Sequence, residues 1–202
     1  MSVTQTDHVE TGPHERRQSI AAVILAAGAG SRFAGEEHKL LAEIDGVPMV
    51  RIVIDAARAA DVDEVVVVGG AIDLAPIVPD EVTLLHNEPW EEGQATSLRA
   101  AVAYAEMRGH SAIVVGLGDS PGVTTEIWNA VAAVDDDLAS ARYDGELRPP
   151  VKLSAAMWAS LPVSGDEGAR AVMRARPDLV RPVPVEGNPH DIDTLEDLRR
   201  WS

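Results

Sequence analysis

The sequence predicts an α/β fold with a mostly parallel sheet, and three observations carry that expectation. Short Val/Ile-rich runs end in glycines or other small residues, as strands buried on both faces do. Longer stretches between them space their apolar residues with helical periodicity. The two patterns alternate along a chain of 202 residues, which is the signature of strands joined by crossover helices.

Each element follows from its residues. The run IAAVILA at residues 20–26 reads as the first strand. Residues 48–60 read as a helix, with Met49, Ile52, Val53 and Ala56 on one face and Pro48 in the first turn, where proline is tolerated. EVVVVGG at residues 64–70 is a β-branched run stopped by glycines, and residues 82–86 form another strand. A helix over residues 94–108 leads to a strand at SAIVVG, residues 111–116. Residues 124–134 read as a helix that Thr124 or Thr125 can cap. A late strand at residues 179–185 precedes a closing helix over 194–201, capped by Thr194. The acidic run Asp135-Asp136-Asp137 reads as a solvated turn, and residues 142–150, rich in turn formers, as a surface loop near a site.

Bulk composition bounds the function. With 17 basic and 33 acidic residues the net charge is −16. Such a surface repels nucleic-acid backbones and anionic membranes, so neither is expected as a partner. The absence of cysteine removes disulfides, thiolate metal sites and a thiol nucleophile. No apolar run approaches the ~20 residues that span a bilayer. Residues 14–17 (HERR) before the first apolar run have the outline of a secretory leader. A Val/Ile-centred run feeding a glycine-rich loop reads better as a strand. The expected organisation is a disordered polar tail at residues 1–18 and one domain at 19–202, in a cytoplasmic protein.

In parallel sheets, ligands bind at the carboxyl ends of strands. The first strand ends in Leu25, Ala26, Ala27, Gly28, Ala29, Gly30, Ser31 and Arg32. Small residues let backbone N–H groups approach a ligand, and successive N–H groups make an anion-binding concavity. Arg32 and Lys39 then supply full charges for phosphate oxygens. A triphosphate fits such a loop. It is not a P-loop, for there is no Gly-x-x-x-x-Gly-Lys-Ser/Thr, and Phe33 stands where a dinucleotide-binding fingerprint needs its third glycine.

The run from Leu25 to Arg32, then Lys39, then Gly46 and Pro48, resembles the signature of the MobA-like NTP transferase family, closest to the cytidylyltransferases of molybdenum cofactor synthesis. Phe33 and Ala34 stand where that family has Met-Gly, with Gly35 following. Three further blocks agree. Asn87, Trp90, Gly93, Ser97 and Leu98 match a second family block. There a glycine ahead of a helix opens N–H groups to a ligand, and Ser97 either reaches that ligand or is an ordinary helix-face serine. Asp119-Ser120-Pro121 matches an Asp-x-Pro block at a strand end. The segments GDEGAR at 165–170 and DIDTLEDL at 191–198 match the C-terminal half.

The resemblance implies a single-domain, Rossmann-like three-layer sandwich of the GT-A nucleotidyltransferase type. It implies transfer of a nucleotidyl group from a nucleoside triphosphate to a phosphate-bearing acceptor, with release of pyrophosphate. Arg32, Lys39 and Asp119 would be catalytic. The 25–32 loop, Asn87, Gly93 and Ser97 would bind nucleotide. Asp119, with Asp191 or Asp193, would hold Mg²⁺, a hard cation suited to carboxylate and phosphate oxygens. Arg148, Lys152 and Arg170 would meet the acceptor, although Arg170 could instead pair with Asp166. Ala27 gives the Leu-Ala-Ala-Gly variant that goes with CTP, and the second block points to a molybdopterin acceptor. A molybdoenzyme or a chaperone would receive the product. The alternatives are a guanylyltransferase, another phosphorylated acceptor such as a sugar phosphate or phospholactate, and a non-catalytic accessory protein that carries nucleotide or cofactor.

Overall fold

The computed structural model describes residues 19–33, 37–188 and 190–201, so the proposed tail at 1–18 and the Ala34-Gly35 departure lie outside the described residues. In chain order the elements are β1 (Ile20–Ala26), a 3-10 turn (Lys39–Leu41), β2 (Glu43–Ile44), β3 (Val47–Pro48), α1 (Met49–Arg58), β4 (Glu64–Gly69) and β5 (Thr83–His86). A second 3-10 turn (Trp90–Glu92), α2 (Gln94–Arg108), β6 (Ala112–Leu117) and α3 (Thr125–Ala132) follow. The chain then forms β7 (Leu138–Tyr143), β8 (Glu146–Ser154), α4 (Ala155–Trp158), α5 (Ala169–Ala175), β9 (Val180–Pro184) and α6 (Leu195–Trp201).

Seven strands make one sheet in the order β5-β4-β1-β6-β8-β7-β9. Its first four strands are parallel, β9 is parallel to β7, and only β8 runs against both its neighbours. β1 alternates its side chains between two cores. Ala22, Ile24 and Ala26 join Val50, Val53 and Ile54 of α1 and Ile127, Trp128 and Val131 of α3. Ala21, Val23 and Leu25 join Leu98, Ala101 and Ala105 of α2 and Val172 of α5. The strand period of two therefore builds a three-layer sandwich. Gly116 in β6 is a glycine because the indole of Trp128 lies against it. A Cβ there would sit 2.6 Å from Trp128 Cη2.

The chain leaves β1 outward to β4 and β5, then returns to β6 on the other side of β1. The crevice at the carboxyl ends of β1 and β6 is thus the switch point of the sheet, where ligands bind in folds of this kind.

Most predicted elements are present within one or two residues, and the acidic run at 135–137 is an exposed turn as expected. Residues 142–150 are the correction. They belong to a β-hairpin, β7 and β8, joined by Asp144 and Gly145 with φ of 46° and 94°, the left-handed pair that a two-residue hairpin requires. The prolines that argue against a strand sit at an irregularity. Ser140 pairs with Val151 and Ala141 with Arg148, leaving Pro149 and Pro150 out of the ladder, where a missing N–H costs no bond.

Candidate functional site

The loop after β1 is braced from both sides. Ala71 N–H donates to the Ala27 carbonyl at 3.0 Å and Gly118 N–H to the Leu25 carbonyl at 2.9 Å. A Cβ built on Gly28 would meet no atom within 4 Å, so the small side chain there leaves open space. His38 ties the loop to the turn that carries Lys39. Its Nδ1 accepts from Leu40 N–H at 3.3 Å, so Nε2–H donates to the Gly28 carbonyl at 3.0 Å. Burial, with help from the adjacent Lys39 charge, pushes the His38 pKa down and keeps the ring neutral for both bonds.

The second wall is the start of α2. Gly93, at φ 107°, packs so closely on the 165–168 loop that a Cβ would lie 2.5 Å from the Gly165 carbonyl carbon. Ala95 N–H donates to the Gly165 carbonyl and Gly165 N–H to that of Glu92, both at 2.9 Å. Packing against a loop therefore accounts for this glycine, which still lines the cavity. Asn87 is buried and does not line the cavity. Its Nδ2 donates to the hydroxyls of Thr96 and Ser97 at 2.9 Å each, so it acts by holding Ser97 at the wall.

The segment 191–193 hangs on one buried residue. Ile192 is fully buried among Ala42, Ile44 and Met49, and its N–H donates to the Asp119 carbonyl at 3.0 Å. With Ile192 turned into that core, its neighbours Asp191 and Asp193 are left beside Asp119 at the cavity. Asp191 accepts from Ser120 Oγ at 2.6 Å. Burial, and then the charges of Asp119 and Asp193, push the Asp191 pKa up.

Two cations answer these three carboxylates. Lys39 Nζ donates to Asp119 Oδ2 in a short contact and to Asp193 Oδ1 at 2.9 Å. Arg32 pairs with Asp193 Oδ2 at 3.0 Å, its side chain 77% exposed. Burial opposes the Lys39 charge, but the two carboxylates outweigh it and raise its pKa.

These parts enclose a cavity of about 500 Å³ lined by Leu25, Ala26, Ala27, Gly28, Ala29, Gly30, Ser31, Arg32, Lys39, Gly93, Ser97, Asp119 and Asp193. A second cavity of about 220 Å³ adjoins it and shares Arg32, Gln94, Asp119, Asp166 and Asp193 with the first. It adds Asp191, Arg148 and Arg170 over an apolar floor of Leu147, Val151 and Met173. Arg148 pairs with Glu146 at 2.9 Å. Among the described residues Arg170 makes no ion pair, with Asp166 or with any other acid.

Lys152 is the site residue that the structure takes away. It is 1% exposed and points to the opposite face of the sheet. Its Nζ donates to the carbonyls of Ala132 and Val134 at the end of α3, where a cation suits the helix dipole. Gln94 and Asp166 line both cavities, and neither stands out in the sequence as ligand-binding. Gln94 carries no charge to mark it, and Asp166 is marked only by its place between Gly165 and Gly168, both at positive φ.

Among the described residues no three acids or imidazoles form a ready-made metal cage. Mg²⁺ does not need one, since it keeps several waters and takes one or two carboxylates plus phosphate oxygens. Asp119 and Asp193, which meet at one ammonium, fit that donor set.

Comparison with known proteins agrees with the fold. The profile of the MobA-like NTP transferase domain matches residues 22–180. The chain is 28% identical to the purine catabolism protein PucB of Bacillus subtilis, over 90% of this chain and 95% of that one. It is 38% identical over 117 residues to the bifunctional protein GlmU of Alkaliphilus oremlandii, spanning a quarter of that longer protein. The crystal structure of Rv0371c from Mycobacterium tuberculosis superposes with a TM-score of 0.81 at 28% identity, covering 91% of this chain and 97% of that one. The same protein in complex with manganese gives 0.76 at 26% identity, over 92% and 98% of the two chains. The chain belongs to the MobA-like NTP transferase family.

Proposed function

We propose that this family member transfers a cytidylyl group from CTP to the terminal phosphate of a molybdopterin-type acceptor and releases pyrophosphate. The observation that carries the reading is the junction of the two cavities. The larger suits a nucleoside triphosphate, and the smaller suits an acceptor. Arg32, Asp119 and Asp193 line both, so the charged groups stand where the two substrates would meet.

In this reading an acceptor phosphate oxygen attacks the α-phosphorus. A new O–P bond forms, the bond to the bridging oxygen breaks, and pyrophosphate leaves with the electron pair. An acceptor phosphate is already ionised, so the chain has no need of a general base or a protein nucleophile. The loop from Leu25 to Ser31 and the wall at Ser97 hold the nucleotide. Arg32 and Lys39 neutralise charge that grows on the α-phosphate and the leaving group. Arg170 and Arg148 orient the acceptor through its anionic groups, so that positioning supplies much of the rate. Bound Mg²⁺, held by Asp119 with Asp193 or Asp191, would supply further charge stabilisation. The CTP preference rests on Ala27 and the molybdopterin acceptor on the block from Asn87 to Leu98. A molybdoenzyme or its chaperone would take the product, in the cytoplasm.

The test is a pyrophosphate-release assay of CTP, GTP, ATP and UTP against molybdopterin cofactor and a panel of sugar phosphates. CTP with the molybdopterin cofactor should turn over fastest. Preference for GTP would make the chain a guanylyltransferase, and preference for a sugar phosphate would change the acceptor. Nucleotide binding without turnover on any acceptor would favour an accessory role.

A further inference from the structure

The ammonium of Lys39 lies between the carboxylates of Asp119 and Asp193 and contacts both. Its side chain is only 12% exposed. The position is built. Leu40 beside it is buried, His38 caps the same turn, and the Lys39 stem lies along Gly30, whose virtual Cβ would be 3.0 Å from Lys39 Cγ. Arg32 is held by the remaining oxygen of Asp193. Both cations suited to a triphosphate are thus engaged by carboxylates. The carboxylates suited to a divalent cation are in turn engaged by a lysine.

We propose that Lys39 is a placeholder for the divalent cation, and that metal and nucleotide enter by exchange: the carboxylates pass from the ammonium to the metal, and the freed ammonium passes to the phosphates. The inference rests on the nucleotidyl-transfer reading and adds to it a coupling between the two ligands. A metal arriving alone has to displace the ammonium and leave it largely buried without a counter-charge. A nucleotide arriving alone has to take Lys39 and Arg32 from Asp193. Arriving together, each ligand supplies the partner that the other removes. Such coupling is reciprocal, so each ligand raises the affinity of the other by one common factor. The stem already lies beside the Gly30 loop, so rotation of the terminal torsions moves the charge without moving the turn.

The experiment uses Mn²⁺ as probe, titrated by electron paramagnetic resonance into nucleotide-free wild type and Lys39→Met. The variant should bind Mn²⁺ at least about tenfold more tightly than wild type, within the usual range of such couplings, and bind nucleotide with Mn²⁺ more weakly. Lys39→Met could fold poorly, so the wild type supplies a second readout. Acylation of Lys39, followed by peptide mass spectrometry, should rise when Mn²⁺ is added alone and fall when CTP is added with it. Equal Mn²⁺ affinity in the two proteins overturns the exchange, as does Lys39 acylation that Mn²⁺ leaves unchanged. If wild type then still binds nucleotide with Mn²⁺, only the exchange is lost. If wild type binds no nucleotide, both readings fall together.

Discussion

The two edges of the central sheet each gather charged groups, and they satisfy them differently. At the amino edge, Glu64 opens β4 and accepts from Tyr104 at 2.6 Å, Thr83 at 2.8 Å, His110 at 2.9 Å and Arg108 at 3.3 Å. The other ring nitrogen of His110 meets the Ser19 hydroxyl at 2.9 Å. Burial would push the Glu64 pKa up, but these donors outweigh it and hold it at about 2. At the carboxyl edge, three carboxylates face two cations, and Asp191 is pushed the other way. One edge is a closed account of donors and acceptors that ties β1, β4, β5, β6 and α2 together. The other leaves excess negative charge beside a cavity. A buried polar network complete in itself stabilises, while one left incomplete is held by the rest of the fold for a ligand.

Substitutions at the two edges should therefore separate stability from activity. The largest effect is expected from Asp119→Asn, which should lower turnover by roughly 10²–10³-fold, the usual scale for one preorganised electrostatic group, with little loss of melting temperature. Steady-state kinetics and a thermal melt check it. Glu64→Gln should do the reverse, costing about 2 kcal/mol in urea unfolding, since it disturbs several hydrogen bonds to a charge, with kcat/KM unchanged. It also carries a pH signature. A folded pKa near 2 against an ordinary 4.5 means that Glu64 stabilises fully above about pH 4.5 and loses this as pH falls toward 2. The variant should lack that part of the acid loss.

Gly28→Ala should affect nucleotide binding alone. Nothing in the protein opposes the new methyl, so stability should hold while KM for nucleotide rises about tenfold, the cost of roughly 1.4 kcal/mol of lost contact. At Asp191 the sign is opposite to that at Glu64. Folding disfavours its charged form, so its contribution falls as pH rises from 3.8 through the raised folded value. Asp191→Asn should raise the neutral-pH melting temperature in a chelator by about 2–4 °C. The smallest effect on activity is expected from Lys152→Met, which should leave KM for the acceptor unchanged, because the ammonium bonds α3 carbonyls on the far face.

How much of this was legible in the sequence can be argued from single residues. The first strand and the 94–108 helix were readable to the residue, the strand as an unbroken apolar run and the helix as an alanine-rich stretch bounded by Gly93 and by Gly109, whose φ is 78°. The closing helix was readable from its cap, where Thr194 and Asp197 bond reciprocally. β8 was hidden by two prolines, although Asp144-Gly145 is a hairpin signal. That miss produced the error at Lys152. In a strand, Val151 and Lys152 take opposite faces, so only one of them can reach the smaller cavity, and Val151 does. The loop and the acids were readable by position along the chain. Their pairing was not, because Asp193 lies 154 residues from Lys39 along the chain and meets it only when Ile192 is buried.

If the proposed function holds, the carboxyl edge binds a nucleoside triphosphate through charges that need a divalent cation. The most direct measurement is a thermal shift of wild type and Asp119→Asn with CTP, GTP, ATP and UTP, each with and without Mg²⁺. CTP should stabilise wild type only with Mg²⁺, by about 2.7 kcal/mol at 100 times the dissociation constant, and less in the variant. No shift with any nucleotide, or a shift that Asp119→Asn leaves intact, would contradict it.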